Sequence, residues 1–329
     1  MTGHSRIRRR VLGTLAAAPL LMALRARADL AFPSRTVRIV VPYSVGIGPD
    51  IVARSVGEQL ARQWGQTVVI DNRPGASGIV AFTEVRTAVP DGHTLFVGDT
   101  GTLAVNPLIH ATLPYDCDRD LIPITKLFHA TLAIQVGGAS RFWTLAELLA
   151  EARRAPGRVS YASLGNGHPM HVAVESMALA ANVELLHVPF RDGGSLMTAV
   201  AGGDVDFTVL SMYTVAGLAK LGKLRALAVA SHKRLPNYPQ LPTVAEAGGP
   251  PVAMHPWAAL MGVAGTPPAV VDALQRDVVA ALRSSDVRGR VEGAGFDIAP
   301  MTPKELRALI AADGAEYAIL VRDGRLQRV

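Results

Sequence analysis

Short β-branched runs, each followed by a turn and then an amphipathic helix, recur along this chain and restart near its middle. No other feature constrains the fold as tightly. A strand buried on both faces reads as an almost unbroken apolar run, and helices placed between such runs imply βαβ units. In the first half, strands at 36–42, 67–70 and 94–98 alternate with helices at 50–64 and 78–89. In the second half, strands at 159–163, 185–189, 205–210 and 224–230 alternate with helices at 168–181 and 195–201. A Pro-rich stretch at 235–256 has little periodicity and reads as a connection between lobes. A strand at 257–263 and helices at 267–284 and 302–321 complete the chain. The fold class expected is α/β, in two lobes, each a mostly parallel sheet flanked by helices. A chain of 329 residues also exceeds what one core comfortably holds. In such open sheets a ligand sits beyond the carboxyl ends of the strands, so the turns there are the places to search.

The N-terminus carries an address. Residues 1–10 hold Arg6, Arg8, Arg9 and Arg10 without an acid, 11–24 are mostly apolar, and Ala26-Arg27-Ala28 is a small-x-small cleavage site. This is the plan of a secretory signal over 1–28, with the mature chain beginning at Asp29. The apolar stretch is shorter than the roughly 20 residues a membrane span requires. Arg8-Arg9-Arg10-Val11-Leu12 approximates a twin-arginine motif, although a Sec signal shares the same general plan. Six of the 33 basic residues lie in 1–28, so 27 bases face 27 acids in the remainder. A near-neutral body has no field for a phosphate backbone, which argues against nucleic acid. Cys117 is the only cysteine and cannot form an internal disulfide; its expected role is that of a small buried hydrophobe.

Two glycine-bearing turns follow strands and open helices. The first runs Tyr43, Ser44, Val45, Gly46, Ile47, Gly48, Pro49, Asp50; the second runs Ser163, Leu164, Gly165, Asn166, Gly167, His168. Glycine lets backbone approach a ligand, and a helix start offers free N–H groups and a positive dipole end, which together suit an anion. Each turn can equally be a tight turn with a capping side chain, Asp50 in the first case. His168 and His171 stand three apart, yet Pro169 intervenes and no carboxylate motif accompanies them, so no metal is expected. The phosphate-loop-like run from Gly217 to Lys223 follows a helix and precedes a strand, which makes Gly222 a helix C-cap. No cofactor motif and no set of catalytic residues is legible.

Several segments resemble Bug-type receptors, the periplasmic solute-binding proteins of tripartite tricarboxylate transporters. They include Val41-Pro42-Tyr43 with its turn and Asp50, Asp71-Asn72-Arg73-Pro74-Gly75-Ala76, and Pro90-Asp91-Gly92-His93-Thr94. Further on come Asn106-Pro107, Leu113-Pro114-Tyr115-Asp116, 163–167 with His171, Val188-Pro189-Phe190, Pro242-Thr243 with Glu246-Ala247-Gly248, and Gly265-Thr266-Pro267. The resemblance implies a two-lobed periplasmic-binding fold of the type 2, Venus-flytrap kind that closes on a carboxylate. Lobe 1 would be 29–130 and 251–329, and lobe 2 would be 131–250. It implies a monomer in the periplasm, delivering its ligand to transporter membrane subunits through transient contacts. A ligand-presenting partner of a membrane sensor, or a periplasmic enzyme, would be the alternative. The resemblance adds Thr100, Gly101 and Thr102 to the two turns as ligand-surrounding residues, with Phe190, Arg191 and Ser211 beside them. Ile47 stands where a second glycine is usual, Pro49 removes an N–H, and Asp192 replaces a glycine. Ile47 and Phe190 would favour an aromatic or branched carboxylate over a small dicarboxylate.

Overall fold

The computed structural model describes residues 32–46, 48–252 and 254–329. The secretory segment 1–28, the expected start at Asp29, and Ile47 therefore lie outside the described residues.

Lobe 1 begins with β1 (Val37–Val41), α1 (Gly48–Trp64), β2 (Val68–Asn72), α2 (Ile79–Val85) and β3 (Thr94–Asp99). A π-helical turn (Gly101–Val105) leads into the short helices α3 (Asn106–Ile109) and α4 (Cys117–Asp120), then β4 (Leu121–Ala130). Lobe 2 follows with β5 (Ala133–Gly137), α5 (Leu145–Arg154), β6 (Ser160–Ser163) and α6 (Pro169–Ala181). It continues through β7 (Leu186–Pro189), α7 (Gly193–Gly202), β8 (Phe207–Leu210), α8 (Met212–Lys220) and β9 (Leu224–Val229). The chain then returns to lobe 1 as β10 (Trp257–Val263), α9 (Pro268–Arg283), α10 (Ser285–Gly293), β11 (Phe296–Ile298) and α11 (Pro303–Arg322).

The strand orders are β11-β4-β10-β3-β1-β2 in one sheet and β7-β6-β8-β5-β9 in the other. These sheets are mixed, which corrects the expectation of mostly parallel strands. β1 runs parallel to β2 and β3, but β10 is antiparallel to β3 and β4, and β11 to β4. In lobe 2, β6 is parallel to β7 and β8, while β5 is antiparallel to β8 and β9. The reason is the route of the chain. Strands of βαβ units run toward the crevice, whereas β5 and β10 enter their lobes from the crossings and must run away from it.

Both faces of the lobe 1 sheet are covered. α1, α9 and α10 bury Val52, Val56, Leu274 and Val278 against Ile39, Leu95 and Leu260, while α2 and α11 cover Val40, Phe96 and Ala259 from the other side. The lobe 2 core gathers Leu145 and Leu148 of α5, Val174 and Met177 of α6 and Val200 of α7 around Tyr161, Phe207 and Ile134. A smaller cluster joins the lobes: Val105 and Ile109 of lobe 1 pack with Val172 of α6 and with Leu320 and Leu326 near the C-terminus. The crossings are hydrogen-bonded to each other, Ala130 N–H to Pro256 O at 2.8 Å and Ala230 N–H to Leu132 O at 2.8 Å. The C-terminal tail adds a third tie. Val329 N–H donates to Ile109 O at 2.7 Å, and Arg325 pairs with Glu175 of α6 at 3.2 Å.

Gly222, at φ +67°, closes α8, with its N–H on Ala219 O at 3.0 Å and Lys223 N–H on Leu218 O at 2.9 Å. It is a helix cap, as its place between helix and strand required.

Candidate functional site

The turns after β1, β3, β6 and β8 meet at the crevice between the lobes. A Cβ built on Gly101 would stand 3.4 Å from Gly167 O of the opposite lobe, and one on Gly295 would stand 2.6 Å from Tyr213 Cβ. Glycine at these points permits backbone from the two lobes to touch.

In the turn after β1, Asp50 is buried and works inward. Its Oδ2 accepts Gly46 N–H at 2.8 Å and Arg54 Nε at 3.0 Å, and its Oδ1 accepts Asn72 Nδ2 at 2.8 Å. Burial pushes its pKa up, but the bonds from Arg54, Gly46 and Asn72 outweigh that and hold it below the usual carboxylate range. Asp50 thus braces the turn, and Gly46, at φ +83°, makes the bend. Ser44 and Gly46 are exposed at the crevice mouth. Gly48 has a packing reason of its own, since a Cβ there would meet the Phe296 ring at 2.4 Å.

Asp99, at the end of β3, is the residue that sequence reasoning missed. It is 4% exposed, and its carboxylate accepts the Tyr43 hydroxyl, Thr102 N–H at 2.7 Å and Thr102 Oγ1 at 2.9 Å. Burial and the neighbouring Asp99 charge push the Tyr43 phenol far up, so it stays a donor. Thr100 is buried and its hydroxyl accepts Trp257 N–H at 3.1 Å. Gly101 and Thr102 open the π-helical turn beside it.

Lobe 2 builds its rim differently. Ser163 is fully buried with Oγ 2.6 Å from His187 Nε2, and it also accepts Gly165 N–H at 3.1 Å. His187 stacks on His171 with ring centroids 3.9 Å apart. His171 Nδ1 accepts Gly167 N–H at 3.2 Å, and His168 Nδ1 caps α6 by accepting Met170 N–H at 3.2 Å. Each of these two rings thus spends a nitrogen on the backbone rather than on a shared ion. Burial, opposed by Asp99, lowers the His168 pKa to about 4. Burial with the neighbouring His187 and His168 lowers His171 to about 3, and burial alone takes His187 to about 4. All three are neutral at pH 7. Asn166 Nδ2 donates to Gln327 O at 2.9 Å, tying the loop to the C-terminal tail. Ser211 caps α8 through Thr214 N–H at 3.2 Å. Phe190 is half-buried against the lobe 2 core, and Arg191 is exposed. Asp192 caps α7 by accepting Ser195 N–H at 2.9 Å, so its carboxylate is turned to its own helix.

Glu175 shows how deep the second rim reaches. It accepts the Tyr161 hydroxyl at 2.6 Å beneath the imidazole stack, and Arg325 from the tail. A lone Glu inside an apolar helix was the available sequence signal for this brace. Cys117 is half-buried, and burial together with Asp118, Asp116 and Asp120 pushes its thiol up to about 12, which leaves it inert.

Two mixed α/β lobes with helix starts facing one crevice define the class of periplasmic binding proteins, and solved structures agree. An R. palustris protein solved with adipate superposes with a TM-score of 0.82 at 28% identity, covering 91% of this chain and 100% of that one. MatC from Rhodopseudomonas palustris, with bound malate, superposes at 0.77 with 30% identity, covering 88% and 100%. The chain belongs to the tripartite tricarboxylate transporter receptor family (TctC), matching it over residues 52–325. A UPF0065 protein from the tcbD-tcbE intergenic region of a Pseudomonas species is 35% identical over 97% of this chain and 95% of its own length.

Proposed function

We propose that the chain is an extracytoplasmic receptor that captures a small carboxylate in the crevice and delivers it to the membrane subunits of a tripartite tricarboxylate-type transporter. The observation that carries this reading is the convergence of α1, the π-helical turn, α6 and α8 on one crevice whose histidines are neutral. Such a site offers helix-start dipoles and hydroxyls without a fixed counter-charge, the N–H groups of Gly46, Thr102, Gly167 and Met170 being held by Asp50, Asp99, His171 and His168. Each hydrogen bond to a charged ligand contributes about 1.5–3 kcal/mol, and a helix start adds about 0.3–1 kcal/mol. After the cost of ordering ligand and lobes, about 7–10 kcal/mol remains, a micromolar Kd. The likeness to structures holding adipate and malate supports a dicarboxylate of four to six carbons over the aromatic body that Ile47 suggested.

In this reading the lobes are 29–130 with 251–329, and 131–250, closing as a clamp about residues 131–132 and the 230–256 connection. Residues 1–28 direct a monomer to the periplasm by the twin-arginine or Sec route. The receptor is not an enzyme: Ser163 and His187 form a pair of hydrolytic type, but the hydroxyl is buried and shared with Gly165.

Calorimetry of the mature protein against adipate, malate, an aromatic acid and their methyl esters tests the proposal. Saturable micromolar binding of an acid and none of its ester is expected. Equal binding of the ester, or recovery of a chemically altered ligand, would overturn it.

A further inference from the structure

A second cavity, of about 670 Å³, lies between the lobes on the flank of the crossings. Its size falls within the range of small-molecule sites, roughly 300–1,000 Å³. α6 supplies Val172 and Leu179 to one wall, α11 supplies Leu309 and Leu320 to the opposite wall, and the crevice ends of β4 and β10 form the floor. It touches Thr100, whose hydroxyl is engaged by Trp257 N–H, and Pro169 at the start of α6, so it adjoins the crevice, but no residue of the two glycine turns lines it.

One charged side chain is built into that floor. Lys126 of β4 is 8% exposed and lines the cavity, and its ammonium has no ion pair or hydrogen bond among the described residues. Asp313 of α11 faces it, but its Oδ2 accepts Trp257 Nε1–H at 2.6 Å. Burial lowers the Lys126 pKa against the pull of Asp313, and burial raises that of Asp313. His129 and His255 stand beside Lys126 with rings 5.0 Å apart, and His129 Nδ1 is buried without a partner. Asp297 lies 3.5 Å from the other nitrogen of His129. His232 and Glu316 stand at the mouth. The tip of the Lys126 side chain is not itself sealed off, so an anion entering the cavity would pair with the ammonium.

We propose that this cavity is a second ligand site, for an amphipathic monocarboxylate whose head meets Lys126 and whose apolar body lies between α6 and α11. A second carboxylate would meet Asp313 and Glu316, so dicarboxylates are disfavoured here. A bare inorganic anion would leave the walls of Val172, Leu179, Leu309 and Leu320 uncovered. The occupant touches both lobes beside the crossings at His129, Met254 and Pro256, so it is coupled to their closure, and any effect on crevice affinity must be reciprocal.

Trp257 lines the cavity and reports on it directly. In full-length mature protein carrying Trp64→Phe and Trp143→Phe, titration with 8-bromooctanoate is expected to quench Trp257 saturably, and its methyl ester is expected not to. Lys126→Met should weaken the quenching at least tenfold, Lys126→Arg should retain it, and Ala173→Phe, which fills the cavity from α6, should abolish it. Calorimetric binding of the crevice carboxylate, measured separately, should survive Lys126→Met, so failure of one site is distinguishable from failure of the other. Undiminished quenching in Lys126→Met, or no saturable quenching in a protein with a native thermal transition, would overturn the proposal. If Lys126→Met does not fold, quenching retained in Lys126→Arg and lost in Ala173→Phe supports the site, and equal quenching in those two variants overturns it.

Discussion

The two rims of the crevice share one plan, strand then glycine turn then helix, yet they are braced by opposite chemistry. Lobe 1 uses buried carboxylates, Asp50 and Asp99, which accept backbone N–H and hydroxyl groups. Lobe 2 uses neutral imidazoles, His168 and His171, whose ring nitrogens accept backbone N–H groups. Both solutions satisfy the turn, but they place different charges behind it. Arg54 offsets Asp50, but Asp99 has no cationic partner among the described residues, so lobe 1 presents its donors from a more negative background than lobe 2, where Arg325 offsets Glu175. A carboxylate ligand is therefore expected to be held more by lobe 2 than by lobe 1.

The sharpest test removes the acid brace. Asp50→Ala strands Gly46 N–H, Asn72 Nδ2 and Arg54, and should cost about 3 kcal/mol in urea unfolding, since each bond to a charged group is worth about 1.5–3 kcal/mol. A loss below about 1 kcal/mol would mean that the turn stands without it.

Acidification tests the other rim. A histidine held below its unfolded pKa is neutral when folded and takes up a proton on unfolding. Its stabilisation is complete above about pH 6.5 and is lost as pH falls toward the folded values of about 4 for His168 and His187 and about 3 for His171. His171, 3% exposed, should account for about 2 kcal/mol of loss between pH 7 and 5. Asp50, whose pKa is lowered, titrates only below the ordinary carboxylate range, so lobe 2 should loosen first. Amide exchange at pH 5 that rises around β1 and not around α6 would reverse the comparison.

Gly167→Ala should have a smaller effect. At φ +73° a side chain is strained, and its Cβ would sit 2.6 Å from Ile109 Cδ1 across the lobe boundary. A cost of about 1–2 kcal/mol and a fall of about tenfold in carboxylate affinity are expected by calorimetry. The same change at Gly165, where φ is +119° but no atom lies within 4 Å of the added Cβ, should spare closure. Arg191→Ala should matter least, within about 0.5 kcal/mol by thermal unfolding, because the side chain is exposed. A large loss of affinity would bring Arg191 into the crevice and revive a direct counter-charge.

The βαβ repeats were legible because their apolar runs are long and their turns carry glycine. β4 was not, since Pro123 and Lys126 interrupt it. The strand tolerates Pro123 where the pairing with β10 shifts register between Leu260 and Met261. β5 was hidden by Gln135, which lies fully buried at its centre. α5 does carry a local signal, the Thr144–Glu147 capping box at its start. In the crevice, the glycines and His168 were legible as turn chemistry. The inward roles of Asp50, Asp99 and His187 were not, because burial and partners arise from pairing across 22 to 56 residues that no local pattern encodes.

In the proposed clamp, the C-terminal tail would limit how the lobes move. Two rigid bodies joined only by adjacent crossing strands are free to twist as well as bend. A further anchor across the lobes and set away from that line, with Arg325 on Glu175 and Gln327 on Asn166, would remove the twist and leave a single axis of rotation. Lobes tied in this way would swing as a door does on its frame, and the rims would return to the same registration at every closing.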